Sequence, residues 1–134
     1  MGSIQKILLA EDENRLRTGL EFILSSAGYN VIAVADGEQA YQVLKDNTPQ
    51  HQVDILLTDI IMPKVGGVEL LQKLHRENLL PPVVLGLSAY ADDHTVTQMR
   101  DAGCQGMLDK PFQVTELLSL ISQVEPTRCC AVRH

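Results

Sequence analysis

Five short uncharged runs, separated by segments of helical period, restrict the fold of this chain more than any other feature. They cover residues 7–10, 31–35, 55–57, 83–87 and 106–108. Each run has the length of a strand and lacks the alternation of polar and apolar residues that marks a half-exposed strand. Such runs are typical of a parallel sheet buried on both faces. Parallel neighbours need crossover connections, usually helices, so the pattern predicts an α/β fold with an open, doubly wound sheet.

The segments between the runs carry apolar residues at the spacing of helix faces. In chain order these residues are Leu16, Leu20, Ile23, Leu24 and Ala27; Ala40, Val43 and Leu44; Val68, Leu71 and Leu74; Val96, Met99 and Gly103; and Val114, Leu117, Leu118, Ile121 and Val124. Gly28 follows the first set, whereas Asp36 and Asp92 precede the second and the fourth, as expected of helix ends and starts. We therefore predict five helices.

Length and composition favour a single soluble domain. The chain has 134 residues, of which 45% are hydrophobic. No apolar stretch approaches the roughly 20 residues of a membrane span, so we expect no membrane contact. We assign residues 4–124 to the domain. Residues 125–134 form a C-terminal tail that lacks helical period and is expected to fray.

Charge and cysteine content restrict the partners and the compartment. A net charge of -6, from 17 acidic residues against 11 Lys and Arg, argues against nucleic acid as a partner, because such binding relies on clustered cations. Cys104, Cys129 and Cys130 have neither a disulfide framework nor the spacing of a zinc site, and there is no secretory signal. We therefore expect reduced thiols in a cytoplasmic protein.

Polar side chains follow four of the five predicted strands. These are Glu11 and Asp12 after the first strand, Asp59 after the third, Ser88 after the fourth and Lys110 after the fifth, whereas the second strand ends in Ala35. Ligands of open α/β sheets bind outside the carboxyl ends of the strands. In the strand order 2-1-3-4-5 the second strand is an edge and the other four are contiguous. We therefore predict this order, with the polar ends clustered in one site.

The clustered residues have the chemistry of a metal-assisted phosphoryl site. Three carboxylates repel one another unless a cation intervenes, and Mg²⁺ prefers hard oxygen ligands beside a phosphoryl group. Asp59 is then either a metal ligand or a nucleophile that forms an acyl phosphate. Ser88 offers a hydroxyl and Lys110 a cation to phosphoryl oxygens. The alternatives are ordinary ones: acids at a solvated helix start and a surface lysine.

Four motifs together resemble the receiver domain of two-component response regulators. They are Ile-Leu-Leu-Ala-Glu-Asp-Glu at 7–13, Asp-Ile-Leu-Leu-Thr-Asp-Ile-Ile-Met-Pro at 54–63, Leu-Ser-Ala at 87–89 and Leu-Asp-Lys-Pro-Phe at 108–112. The resemblance covers nearly the whole chain and implies a flavodoxin-like fold. It also implies that the protein is a phosphoacceptor rather than an enzyme. Such a phosphoacceptor receives a phosphoryl group from a histidine kinase or a histidine phosphotransfer domain.

The same resemblance implies a role for each site residue. Asp59 would be the phosphoacceptor, Lys110 the cation that pairs with the phosphoryl group, and Ser88 the hydroxyl switch. The peptide bond between Lys110 and Pro111 would be cis. Mg²⁺ would be bound by Asp12, Asp59 and the main-chain carbonyl of Ile61, with Glu11 acting through water. The face formed by helix four, strand five and helix five would be the surface for partners or for dimerisation.

Two features of the sequence bear on switching and on the lifetime of the phosphoryl group. Met107 stands where many members carry a Tyr or Phe that rotates on phosphorylation, so any movement there is that of a flexible thioether. Ile61 and Tyr90 flank the acceptor and are poorly suited to orient a hydrolytic water. We therefore expect a persistent phosphoryl group.

Other classes of protein remain open from the sequence. A phosphohydrolase of the haloacid dehalogenase type also uses an aspartyl phosphate. Such an enzyme requires a second acid two residues after the nucleophile, where this chain has Ile61. A flavodoxin-like binding module is a further alternative, although no GxGxxG motif is present. As a receiver, the chain would be a stand-alone regulator, a phosphorelay intermediate or part of a hybrid sensor kinase; the initial Met-Gly-Ser favours the last.

Overall fold

The computed structural model of the protein describes residues 5–46, 52–62, 64–89 and 92–124. Its strands are β1 (Lys6–Ala10), β2 (Asn30–Val34), β3 (Ile55–Asp59), β4 (Val83–Ser88) and β5 (Gly106–Asp109). Its helices are α1 (Asn14–Ser26), α2 (Gly37–Lys45), α3 (Gly67–Arg76), α4 (Asp93–Asp101) and α5 (Val114–Val124). The predicted tail lies outside the described residues.

The strands form one parallel sheet in the order β2-β1-β3-β4-β5, which confirms the predicted fold and strand order. All residues of β3 and β4 are buried, whereas most of β2 and β5 is only partly buried. The expectation of burial on both faces is therefore right for the centre of the sheet and wrong for its edges, because an edge strand has a neighbouring strand on one side only.

Alternate residues of each strand pack into two core layers on opposite faces of the sheet. The layer under α2, α3 and α4 contains Leu8, Leu56 and Val84, and the layer under α1 and α5 contains Leu9, Leu57 and Leu85. On β5, Met107 packs against the first layer and Leu108 against the second. Each large apolar side chain that is fully buried stabilises the fold by about 1.5 to 3 kcal/mol.

Helix boundaries follow the predicted caps with one exception. The carboxylates of Asp36 and Asp92 accept hydrogen bonds from the first turns of α2 and α4, and Gly28 ends the turn after α1 with φ 103°. Gly103, however, is not in the fourth helix as its spacing predicted. The helix ends at Asp101, and Gly103 has φ 116°, a left-handed conformation that glycine adopts without a steric penalty.

None of the described helices combines the length and the apolarity that crossing a membrane requires.

The carboxyl ends of β1, β3, β4 and β5 lie next to one another at one edge of the sheet, since these four strands are contiguous and parallel. The polar residues that follow them are thereby brought to one place.

Candidate functional site

Three carboxylates meet at the carboxyl edge of the sheet. Glu11 follows β1 and is fully buried, Asp12 is exposed, and Asp59 at the end of β3 is 5% exposed. One carboxylate oxygen from each of the three lies within 4.8 Å of the others. The structure therefore brings together the acids that the sequence placed in one site.

Lys110 connects two of these acids. Its Nζ donates to Glu11 Oε1 at 2.9 Å and to Asp59 Oδ2 at 3.0 Å. The contacts join residues 99 and 51 positions apart, and they form because β5 places Lys110 beyond the end of the sheet, opposite β1 and β3. The peptide bond between Lys110 and Pro111 is cis, as predicted.

Burial and charge act against each other at this cluster. The pKa of Asp59 is raised from 3.8 to about 7, chiefly by burial and further by the charge of Glu11, although the hydrogen bond from Lys110 acts to lower it. For Lys110, burial disfavours the charged form, but hydrogen bonds to Glu11 and Asp59 outweigh it, so the lysine pKa is raised. One ammonium thus offsets only part of the acidic charge.

The main chain around Asp59 is tightly fixed. Asp59 Oδ1 accepts from the N–H of Ile60 at 3.1 Å, and the Thr58 hydroxyl donates to the Asp59 carbonyl at 2.9 Å. The N–H of Gly67 donates to the Ile60 carbonyl at 2.6 Å. A Cβ on Gly67 would lie 2.5 Å from the Asp59 carbonyl oxygen, so this close approach requires glycine.

The remaining predicted site residues differ in burial and in their position relative to the acidic cluster. Ser88 ends β4 beside β3 and is 2% exposed, and its carbonyl accepts from the N–H of Lys110 at 2.6 Å. Ile61 follows in the β3–α3 loop with a side chain that is 73% exposed. Met107 lies within β5 and packs against the core rather than entering the acidic cluster. Tyr90 lies outside the described residues.

The acidic cluster fits a small divalent cation. Two oxygens on one Mg²⁺ lie at most about 4.2 Å apart, because each Mg–O distance is about 2.1 Å. The carboxylate oxygens of the cluster are already within 4.8 Å of one another. Mg²⁺ also keeps several of its waters, and the exposure of Asp12 leaves the cluster open to solvent.

Sequence reasoning missed two polar residues that shape this site. Thr58 is fully buried and holds the Asp59 carbonyl, and the guanidinium of Arg17 donates to the Glu11 carbonyl at 2.9 Å. A Thr between an apolar run and an acidic residue was a usable signal for the first. No sequence pattern marks the second, because the contact depends on how α1 leaves the β1–α1 loop.

A cavity of about 560 Å³ opens beside Lys110, between the start of α1 and the β5–α5 loop. Leu16, Ala89, Pro111 and Phe112 line it together with the lysine. Its lining is mainly apolar, so a partner residue that enters here would contact apolar surface next to the acidic cluster.

Comparison with known proteins decides the family. Residues 7–122 match the model of the response regulator receiver domain. The chain belongs to this family. As a receiver domain it is a member of a class of signalling phosphoacceptors, which favours this role over a phosphohydrolase or a flavodoxin-like binding module.

Two curated relatives illustrate the match. The receiver domain is 33% identical over 121 residues to the transcriptional regulatory protein CpxR of Escherichia coli, covering 90% of this chain and 49% of CpxR. It is 30% identical over 118 residues to the transcriptional regulatory protein PdtaR of Mycobacterium tuberculosis, covering 87% of this chain and 55% of PdtaR. The chain spans about half the length of these relatives.

Solved receiver structures share the fold. The chemotaxis protein CheY4 of Vibrio cholerae superposes with a TM-score of 0.81 at 25% identity, covering 91% of this chain and 99% of CheY4. The receiver domain of a sensor histidine kinase from Pseudomonas aeruginosa superposes with a TM-score of 0.79 at 30% identity. The match covers 91% of this chain and 98% of the chain of that receiver domain. That protein has a magnesium ion coordinated in its active-site cleft.

Proposed function

We propose that Asp59 accepts a phosphoryl group from a phosphohistidine and that Glu11, Asp12, Ser88 and Lys110 assist the transfer. One observation carries the proposal: the Lys110 ammonium lies 3.0 Å from Asp59 Oδ2, inside the acidic cluster. A carboxylate with a cation and a candidate metal site beside it can receive a phosphoryl group whose negative oxygens would otherwise be repelled.

The transfer is a displacement at phosphorus. A carboxylate oxygen of Asp59 forms the new P–O bond as the P–N bond to histidine breaks, and the leaving imidazole nitrogen takes up a proton. Lys110 then pairs with a phosphoryl oxygen instead of Asp59 Oδ2. The domain ends as an acyl phosphate and releases no product, so its role is that of a phosphoacceptor and not of an enzyme that turns over.

The metal proposed for this site is Mg²⁺. Asp12, Asp59 and the main-chain carbonyl of Ile61 would hold it, with Glu11 acting through water, and the ion would neutralise charge on the carboxylates and on the phosphoryl oxygens. The cluster of carboxylate oxygens within 4.8 Å supports this assignment for the three acids. For Ile61 the support is its place two residues after Asp59 in the resemblance.

Phosphorylation would change the domain through Ser88 and Met107. A phosphoryl group adds about -1.5 to -2 charges and new acceptor oxygens. The Ser88 hydroxyl, at the end of the strand beside β3, would turn to donate to one of them. Met107 would repack as the α4 side of the domain adjusts, and a thioether has the rotational freedom to do so.

The proposed partner is a histidine kinase or a histidine phosphotransfer domain in the cytoplasm. Similarity to the receiver of a sensor histidine kinase supports a place in a hybrid kinase, whereas the transcriptional regulators CpxR and PdtaR support a response regulator. We propose residues 4–124 as the domain in either arrangement. The face of α4, β5 and α5 is the proposed surface for a partner or a second copy.

The decisive test is covalent labelling with a small phosphoryl donor such as acetyl phosphate in the presence of Mg²⁺. Mass spectrometry should show one added phosphoryl group on the wild-type protein and none on Asp59→Asn. Asp54→Asn is the matched control. Asp54 immediately precedes the amino end of β3, at the end of the strand away from Asp59, and its carboxylate accepts from the N–H of Lys6 at 2.8 Å. Undiminished labelling of Asp59→Asn would refute the assignment.

The phosphohydrolase alternative makes a different prediction. It requires repeated turnover of a phosphate monoester, whereas the phosphoacceptor stops after one phosphoryl group per chain. Release of inorganic phosphate in large excess over protein would favour the alternative.

A further inference from the structure

We infer that Arg17 is a positioning residue of the metal site, because its guanidinium fixes the main chain that carries Asp12. The inference rests on the proposed function, since it concerns how tightly the acidic cluster binds Mg²⁺. Within the described part of the chain, Arg17 itself forms no hydrogen bond or ion pair with the carboxylate of Asp12 or of Asp59; its hydrogen bonds go to the Glu11 carbonyl and to Asn14.

Hydrogen bonds hold Glu11 at both ends of its main chain. Arg17, in the first turn of α1, donates from Nη1 to the Glu11 carbonyl at 2.9 Å, and its Nη2 donates to the side chain of Asn14. The N–H of Glu11 donates to the Val34 carbonyl at 3.1 Å. The Arg17 side chain therefore ties the start of the β1–α1 loop to the helix that follows it.

The carbonyl of Glu11 belongs to the same planar peptide group as the nitrogen of Asp12. Fixing that carbonyl therefore fixes the direction in which the Asp12 residue leaves the sheet. Asp12 is exposed, and within the described ranges no protein hydrogen bond holds its carboxylate. Its approach to Glu11 and Asp59 thus depends on the main chain rather than on a side-chain partner.

If only its charge mattered, Arg17 would weaken Mg²⁺ binding rather than strengthen it. Its guanidinium is permanently positive, so its field opposes the binding of a divalent cation. Removing the charge would strengthen Mg²⁺ binding if electrostatics dominated. Removing the hydrogen bond to Glu11 would weaken it if the arginine positions Asp12. The two roles therefore predict changes of opposite sign.

The test compares Arg17→Met with Arg15→Met. Both variants lose one positive charge from the same helix and keep an unbranched side chain with good helix propensity. Arg15 is exposed, and no hydrogen bond from it to the β1–α1 loop occurs among the described residues. Isothermal titration calorimetry gives the Mg²⁺ dissociation constant of each folded variant.

We expect Arg17→Met to bind Mg²⁺ about 10-fold to 100-fold more weakly than the wild type, the range typical for loss of a residue that orients a metal ligand. Arg15→Met should bind Mg²⁺ equally or more tightly. Asn14→Ala, which removes the second partner of the guanidinium, should weaken binding by a smaller factor. An unchanged or tighter dissociation constant in Arg17→Met overturns the inference.

Two further readouts separate the possible failures. A purely structural role of Arg17 would lower the unfolding midpoint without Mg²⁺ and leave the dissociation constant unchanged, which also overturns the inference. If Arg17→Met does not fold, the exposed Asn14→Ala decides, and unchanged affinity in that variant overturns it. If the wild type does not bind Mg²⁺, the metal site of the proposed function fails as well.

Discussion

Replacing Asp59 with Asn should stabilise the metal-free protein at neutral and alkaline pH. The Asp59 side chain is only 8% exposed and shares Lys110 with the buried Glu11. Ionised Asp59 is therefore unfavourable in the folded state, and asparagine occupies the same space without a charge. The expected gain depends on pH, because it disappears where Asp59 is protonated in both the folded and the unfolded states.

The pKa of Asp59 sets the sign and the size of this effect. It is raised from 3.8 in the unfolded chain to about 7 in the folded protein. The folded protein therefore binds this proton more tightly, and the contribution of Asp59 to stability is lost as the pH rises from about 4 to about 7. A rise of about 3 units at about 1.4 kcal/mol each gives a loss of about 4 kcal/mol above pH 7.

Urea unfolding in the presence of a chelator measures the effect. At pH 8 the Asn variant should exceed the wild type in unfolding free energy by about 4 kcal/mol, and at about pH 5 this difference should be about 3 kcal/mol smaller. Asp54→Asn is the control for loss of an acid at β3 and should show no gain. An equal difference at both pH values, or a less stable Asn variant at pH 8, would refute the reasoning.

Mg²⁺ should narrow the difference in unfolding free energy between the two proteins. At ten times its dissociation constant, Mg²⁺ adds about 1.4 kcal/mol to the unfolding free energy of a protein that binds it only when folded. Wild type should show this gain and Asp59→Asn much less of it. Chelation should return the wild type to its metal-free midpoint.

Three further predictions concern the β3–α3 and β4–α4 loops and two helical glycines. Ile61→Asn combined with Tyr90→Glu should shorten the lifetime of the phosphoryl group, because polar side chains there orient a hydrolytic water; decay followed by phosphorus NMR that is no faster than in the wild type would contradict this. Gly37→Ala should cost about 1 to 3 kcal/mol, since its Cβ would lie 2.2 Å from the Val65 carbonyl oxygen. Gly19→Ala, with nothing within 4 Å in α1, should instead stabilise by about 0.5 to 1 kcal/mol in the same denaturation assay.

The sequence predicted the fold well where burial alone decides structure. The central runs are apolar on both faces because helices cover both faces, and their order followed from which strands end in polar residues. The apolar runs stop at Leu57 and Leu87, but the strands extend to Asp59 and Ser88, whose main chains continue the pairing although their side chains are polar. Hydropathy follows side chains, whereas pairing depends on the main chain.

The site was predictable in membership and not in detail. Acids and a lysine at adjacent strand ends must meet, whichever rotamers they adopt. That Lys110 would reach Glu11 as well as Asp59, and that Glu11 would be fully buried, depends on side-chain lengths and loop paths. The contact of Arg17 with the β1–α1 loop was hidden for the same reason. Gly103 was misassigned because helical spacing says nothing about the sign of φ.

The alternation of β5 has a consequence for how far a local event extends. Met107 and Leu108 are neighbours in sequence but belong to core layers on opposite sides of the sheet, and Lys110 lies two residues beyond. A displacement of Lys110 that is passed along this short edge strand changes packing under α4 and under α5 at once. Two helix layers separated by the full thickness of the sheet thereby respond to one event without contacting each other.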